Sequence, residues 1–262
     1  MRPVGIALVF ASFFLVTPAM SVAQSSSTAA TKFRVLVNVN YNVTSRAFDE
    51  SSTFTAFLED GSTARSYDGG TGLGFELGGI YSITPAFGIL GSFEFQSAEH
   101  DASFDVTTPH PLFFNQPRTT SDEITALEYS EQALNVDAVY TLTSGAFTVD
   151  VFGGVTFFFT ETELIDEITT SSAYPFDDVA IASTSTVKLK ESPIGFNVGA
   201  ALTYRITPVI GVSFQAKFSQ ATINLKREAG EPMDFNAGGF RIGGGLRLTF
   251  SAGPKEETDP HR

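Results

Sequence analysis

The charged residues that fall inside alternating segments of the chain sort by sign. Glu76, Glu94, Asp137 and Asp150 follow one another and are all acidic. Arg205, Lys217, Arg241 and Arg247 come later and are all basic, and Arg34 near the start joins them. Acids and bases on facing walls form ion pairs, which hold away from water only if their remaining lone pairs and protons are also bonded. Proton-transfer chemistry has fewer candidates: His100, His110 and His261. Asp101 or Asp105 stands close enough in sequence to orient His100, and His110 lies between Pro109 and Pro111 beside Leu112-Phe113-Phe114. Spacing alone does not make a dyad, so these read as loop histidines and no catalytic residue is assigned. There is no G-x-S-x-G elbow, no H-E-x-x-H and no P-loop, and the Gly69–Gly74 cluster opens a strand with no helix behind it. With 0 Cys, thiolate zinc sites, iron–sulfur ligation and cysteine nucleophiles are excluded together. Asp177-Asp178 lacks the oxygen-ligand spacing of a calcium loop. Neither a metal nor a cofactor is expected.

Positioning those charges requires elements, and composition narrows which. The 262 residues carry a net charge of −13, with 16 Lys+Arg against 29 Asp+Glu, which argues against binding nucleic acid through its phosphates. Charged residues make up only 17%, while Phe numbers 26 and Gly 23; a disordered chain is poor in aromatics and rich in charge. Residues 1–23 read as a signal peptide. Arg2 supplies the positive start, Gly5 to Val16 the apolar run, and Ser21-Val22-Ala23 the small residues before Gln24. That run is too short for a membrane-spanning helix. Residues 24–32 form a flexible lead.

From residue 33 the period is 2, the strand signal, in eight segments: about 33–43, 73–83, 87–95, 134–142, 147–159, 194–206, 210–218 and 240–250. One face of every segment carries Phe, Leu, Val or Ile, with Tyr and Ala among them. The other is Gly, Ser, Thr and Asn, and it also carries all nine charges named above. A water-soluble barrel turns its apolar face inward, but this second face is too small and polar to fill a dry core. A membrane barrel does the reverse, with lipid outside and a polar interior. Glu99, Glu128, Glu161, Glu163 and Lys190 fall in the apolar phase and are expected above the bilayer, because a spanning strand uses only about 9–11 residues.

The connections alternate. Residues 83–86, 143–146 and 206–209 are tight turns, whereas 44–70, 97–126, 161–192 and 221–237 are long. Tyr81, Tyr140 and Tyr204 each precede a tight turn, and with Phe250 they are expected to form an aromatic girdle at a membrane interface. The long connections are acidic, most clearly 161–191, which reads as a solvated, self-repelling surface rather than a divalent-cation site.

This pattern resembles the small eight-stranded outer-membrane β-barrel proteins of the OmpA/OmpX/OmpW-like group over about residues 33–250. The most specific piece is Phe240-Arg241-Ile242-Gly243-Gly244-Gly245-Leu246-Arg247-Leu248-Thr249-Phe250, which looks like the family's C-terminal assembly signal, although residues 251–262 follow it. The resemblance implies an all-β fold: an eight-stranded antiparallel up-and-down transmembrane β-barrel with short periplasmic turns and four long extracellular loops. Residues 33–250 would be the barrel and 251–262 a disordered periplasmic tail, too short for the peptidoglycan-binding domain of OmpA-type members. It further implies a cell outer membrane location, contact with outer-membrane lipid and lipopolysaccharide, the barrel-assembly machinery as a partner during biogenesis, and an extracellular ligand reached through the loops. The two charged walls are expected to meet as an ion-pair network plugging the lumen. A narrow porin-like channel for small or hydrophobic solutes is the alternative, and a lipid-modifying enzyme the third reading.

Overall fold

Alternating β-branched and aromatic residues favour strands, and the computed structural model of this chain is all antiparallel sheet. It describes residues 31–44, 47–69, 71–225 and 233–251; the expected signal peptide, nearly all of the lead, and the tail beyond Ser251 lie outside them. Eleven strands follow in order: β1 (Thr31–Asn42), β2 (Phe48–Ala56), β3 (Glu59–Asp68), β4 (Leu73–Ser82), β5 (Phe87–Thr108), β6 (Arg118–Ser144), β7 (Phe147–Ser171), β8 (Ala180–Glu191), β9 (Ile194–Arg205), β10 (Ile210–Leu225) and β11 (Met233–Ser251).

The expected count of eight is therefore corrected to eleven, and the pairings explain the difference. Tyr41 of β1 faces Leu73 of β4, while Phe48 of β2 faces Tyr67 of β3, so β1 and β2 lie along one path, interrupted after Asn42. Leu73 of β4 faces Ser97 and Asp68 of β3 faces Asp101, so both strands line β5, with Gly69 and Gly72 in the gap. Glu191 of β8 faces Thr160 and Ile194 of β9 faces Phe157, so both line β7. The break there is Ser192-Pro193, and proline has no N–H to give the ladder. Three interruptions divide eight long paths. The lower pairings run β1–β4–β5–β6–β7–β9–β10–β11 and return to β1, closing the sheet on itself.

The four long connections are also corrected, because most of their length is strand. β5 runs to Thr108 and β6 begins at Arg118, and β2 with β3 forms a hairpin inside the first connection. Two of the tight turns share Ile-Thr-Pro. In each, the threonine hydroxyl (Thr84, Thr207) accepts the backbone N–H three residues on, from Phe87 and Ile210, at 2.9 Å. In the third, Gly145 supplies the left-handed residue (φ 59°) that most side chains avoid.

Phe93, Phe157 and Phe214 point away from the axis, 44%, 37% and 57% exposed, and the same phase is apolar and exposed around the ring. The inward phase is buried, but it is not polar throughout. Leu36, Ile80, Leu90, Val139, Phe152 and Ala201 pack into an apolar layer toward the tight-turn end. A larger cluster, including Tyr67, Phe104, Phe158, Leu164, Ile165 and Ile223, fills the interior among the strand extensions. The expectation of a wholly polar interior is corrected by these two layers. Among the described residues no helix is long and apolar enough to cross a membrane.

Candidate functional site

Most of the polar network lies between the two apolar layers, and one ion pair, Arg34–Asp150, sits level with Ile80 and Ala201 of the lower layer. Period-2 geometry aims every second residue of each strand at the axis, so strands far apart in sequence meet there. Nearest the tight turns, Arg34 (β1) donates to Asp150 (β7) through both terminal nitrogens, at 2.8 and 2.9 Å. Thr141 accepts from Arg34 at 2.9 Å and donates to Asp150 at 2.7 Å. Farther along, Glu76 (β4) accepts from Asn38 at 2.6 Å, Gln215 at 2.5 Å, Ser92 at 3.0 Å and Lys217 (β10) at 3.3 Å. Glu94 (β5) is paired with both Lys217 and Arg241 (β11) and accepts from Asn135 at 3.0 Å. Arg241 also pairs with Glu131 (β6), which accepts from the Tyr129 hydroxyl at 2.6 Å and the Gly238 N–H at 3.1 Å.

Six of the nine expected lumen charges are thus joined in ion pairs: Arg34, Asp150, Glu76, Glu94, Lys217 and Arg241. Two more are buried in the lumen but bond to amides. Arg247 donates to Asn38 at 2.7 Å and Gln215 at 3.3 Å, and Asp137 accepts from Asn197 at 2.7 Å. Arg205 is a correction. It ends β9 at the tight turns, is exposed, and donates to the Gly145 carbonyl of the neighbouring turn, too near the rim to reach the lumen. Glu131 was missed by the sequence reading. It shares the phase of Asn135 and Asp137, and continuing that alternation before residue 134 finds it.

Beside Glu94, Glu131 and Arg241 a hollow of about 10 Å³ remains, room for about one water molecule. Close strand approach depends on inward glycines: a Cβ at Gly245 would overlap the Val37 carbonyl and the Asn38 side chain.

At the tight-turn end, Tyr81, Tyr140, Tyr204 and Phe250 are all exposed. Each has an aromatic neighbour that the sequence reading did not include. Phe87 lies 5.0 Å from Tyr140, Phe147 5.2 Å from Tyr204 and Phe33 6.4 Å from Phe250, while Phe33 also faces Tyr81 across the ladder. Each of these is a cross-strand aromatic pair.

Above the apolar band the outward phase is charged, and three of its acids have partners in Lys188, Lys190 and Thr186. Lys188 bonds Glu128 at 2.5 Å, which raises the lysine's pKa, and Lys190 pairs with Glu161 at 3.0 Å. The Thr186 hydroxyl bonds Glu163 at 2.6 Å and holds that carboxyl below its usual range. Glu99 is exposed on the same face. Both described histidines bond backbone groups. Buried His100 donates Nε2–H to the Glu163 carbonyl at 3.0 Å; burial lowers its pKa against that bond and the Glu163 and Asp101 charges. Buried His110 accepts two loop N–H groups. No group of three metal-binding His, Asp or Glu side chains occurs among the described residues.

A closed antiparallel sheet that is oily outside and charged along its axis is the plan of an outer-membrane β-barrel. The sequence matches the model of the outer membrane protein beta-barrel domain over residues 12–247, and the chain belongs to that family. Its location is the cell outer membrane. Among solved structures it is similar to Neisserial surface protein A (11% identity, 83% of this chain and 97% of that one, TM-score 0.44). It is also similar to OprG from Pseudomonas aeruginosa (12%, 86% and 98%, 0.44) and to the outer membrane protease OmpT from Escherichia coli (8%, 87% and 99%, 0.42). No curated protein matches the sequence.

Proposed function

We propose that this protein is a transmembrane barrel with a closed lumen, its tight turns periplasmic and its strand extensions outside the cell, and that it acts as a structural or surface-interaction protein. The observation carrying this reading is the wall-to-wall ion pairing of Glu94 with Lys217 and Arg241 beneath the apolar cluster of the extensions. A solute path along the axis would have to break those pairs and also part that cluster. A catalytic role for His100 or His110 finds no support, since each is buried and already engaged in holding backbone. Lipopolysaccharide and outer-membrane lipid would surround the apolar band, and the barrel-assembly machinery would insert it.

Refolded protein, checked as folded by a heat-modifiable gel shift, is expected to give no stepwise conductance in planar bilayers. Glu94→Gln is expected to leave it silent, because the apolar cluster remains. Regular conductance steps from the native protein would replace this reading with that of a narrow channel.

A further inference from the structure

A two-residue hairpin turn with both central residues left-handed is ordinarily filled by Asn-Gly or a similar pair. The β2–β3 turn places Phe57 (φ 52°) and Leu58 (φ 68°) there instead. Neither side chain gains burial in return; Leu58 is 88% exposed. Beside it, the β5–β6 loop exposes Leu112, Phe113 and Phe114. That loop is firmly built: His110 Nδ1 accepts the N–H groups of Leu112 and Phe113 at 3.1 and 3.2 Å, and its ring lies 4.9 Å from that of Phe113. Asn115 donates its N–H to Glu59 at 2.8 Å, tying the loop to the β2–β3 turn. Arg118 donates to the Pro109 carbonyl at 3.0 Å and across to the Phe176 and Asp178 carbonyls at 2.8 and 3.3 Å, which brings in the β7–β8 loop with its exposed Tyr174.

Three loop tips therefore hold apolar side chains in water on a braced frame. Exposed apolar patches rimmed by polar residues mark interaction sites. Among the described residues the rim fixes the partner's sign: Asp60, Asp177 and Asp178 are exposed at the tips, whereas Arg118 is buried and spent on carbonyls. Anionic lipid and a second acidic copy of this chain would be repelled. We propose that these tips are a preformed docking surface for a basic protein surface that offers apolar pockets between its lysines or arginines. This rests on the surface-interaction reading above and names the face and the chemistry of its partner.

The test uses the full chain purified from outer membranes into nanodiscs of zwitterionic lipid. Three probes are compared: an amphipathic peptide of alternating leucine and lysine, polylysine, and phosphatidylcholine vesicles. The peptide is expected to bind, to weaken as salt rises, and to bind at least tenfold more weakly after Phe57→Ser, Leu58→Ser, Phe113→Ser and Phe114→Ser together. His110→Ala, which keeps every apolar side chain but frees the loop, is expected to weaken it several-fold. The gel shift reports that each variant stays folded. The proposal is overturned if polylysine binds as tightly as the peptide, if the serine variant binds the peptide unchanged, or if the vesicles are captured instead. Failure of the broader reading would appear separately, as conductance of the native protein.

Discussion

Removing one partner of the Arg34–Asp150 pair tests whether the lumen is as dry as its geometry implies. Asp150 accepts two bonds from Arg34 and one from Thr141, and the two charged side chains are 9% and 2% exposed. Hydrogen bonds to charged groups are worth about 1.5–3 kcal/mol each, and breaking a buried pair costs about 3–5 kcal/mol because a charge is left uncompensated. Asp150→Asn should therefore destabilise by about 3 kcal/mol, and Arg34→Met by a similar amount. The double variant removes both charges, and replacing a buried pair with apolar residues is often near neutral, so it should lose only about 1–2 kcal/mol. The coupling energy is then about 4 kcal/mol, nearly a thousandfold in the folding equilibrium. Reversible urea unfolding in lipid vesicles, followed by fluorescence of the tyrosines, supplies all four corners of the cycle. A coupling below about 1 kcal/mol is the value of a solvated surface pair, and it would refute a dry lumen at this end.

Gly245→Ala should lower stability by about 1–3 kcal/mol, the range for overpacking a full interior, because its Cβ would overlap Val37 and Asn38; the same unfolding assay reads it, and an unchanged midpoint would deny the close approach of β1 and β11. His100 has its pKa lowered by burial from 6.5, so the fold favours the neutral ring and its stabilisation is complete above that value. It is lost as pH falls through the folded-state pKa, and His100→Phe should flatten the dependence of unfolding on pH between about 7 and 5. Replacing Phe57-Leu58 by Asn-Gly should stabilise the protein by about 1–2 kcal/mol through relief of left-handed strain; no gain in the denaturation midpoint would mean the turn is unstrained.

The spanning part of the fold was legible because lipid and water impose opposite demands on alternate residues. A strand such as residues 33–43 shows both answers in strict succession, and that also placed Glu76, Glu94, Lys217 and Arg241 on one interior before any contact was known. The extensions were harder to read. Above the bilayer both faces change character, and the segment 97–126 reads as polar and irregular although it is mostly strand. Its pairing is set by its neighbours, such as Val106 with Thr120, and its alternation, Ala102-Ser103-Phe104-Asp105-Val106, has the phase of an ordinary soluble sheet. The His110 brace lies in that same stretch, and Glu131 falls between it and the alternating segment that begins at residue 134. Arg205 shows the opposite limit: phase says which way a residue points but not whether its strand still has a lumen beside it.

The exchange of outward faces from apolar to charged has a consequence for the lumen. On β5 the outward residues pass from Phe93 and Phe95 to Ser97, Glu99 and Asp101, while the inward ones pass from Glu94 and Gln96 to Ala102 and Phe104. On β7 Phe157 and Phe159 give way outside to Glu161, while the inward residues run Thr156, Phe158, Thr160, Thr162 and Leu164. The ladder puts these points together, Ser97 facing Ser130 and Tyr129 facing Thr162. Below that ring the hydrophobic effect is satisfied by lipid outside, so the interior is free to be ionic; above it water surrounds the strands, so apolar residues must collapse inward. The inner cluster of the extensions is therefore forced by the same rule that frees the lumen to hold charge. It sets an apolar cluster over the ion pairs, so on the closed-lumen reading proposed above, opening the axis would expose oil to water as well as separate charges.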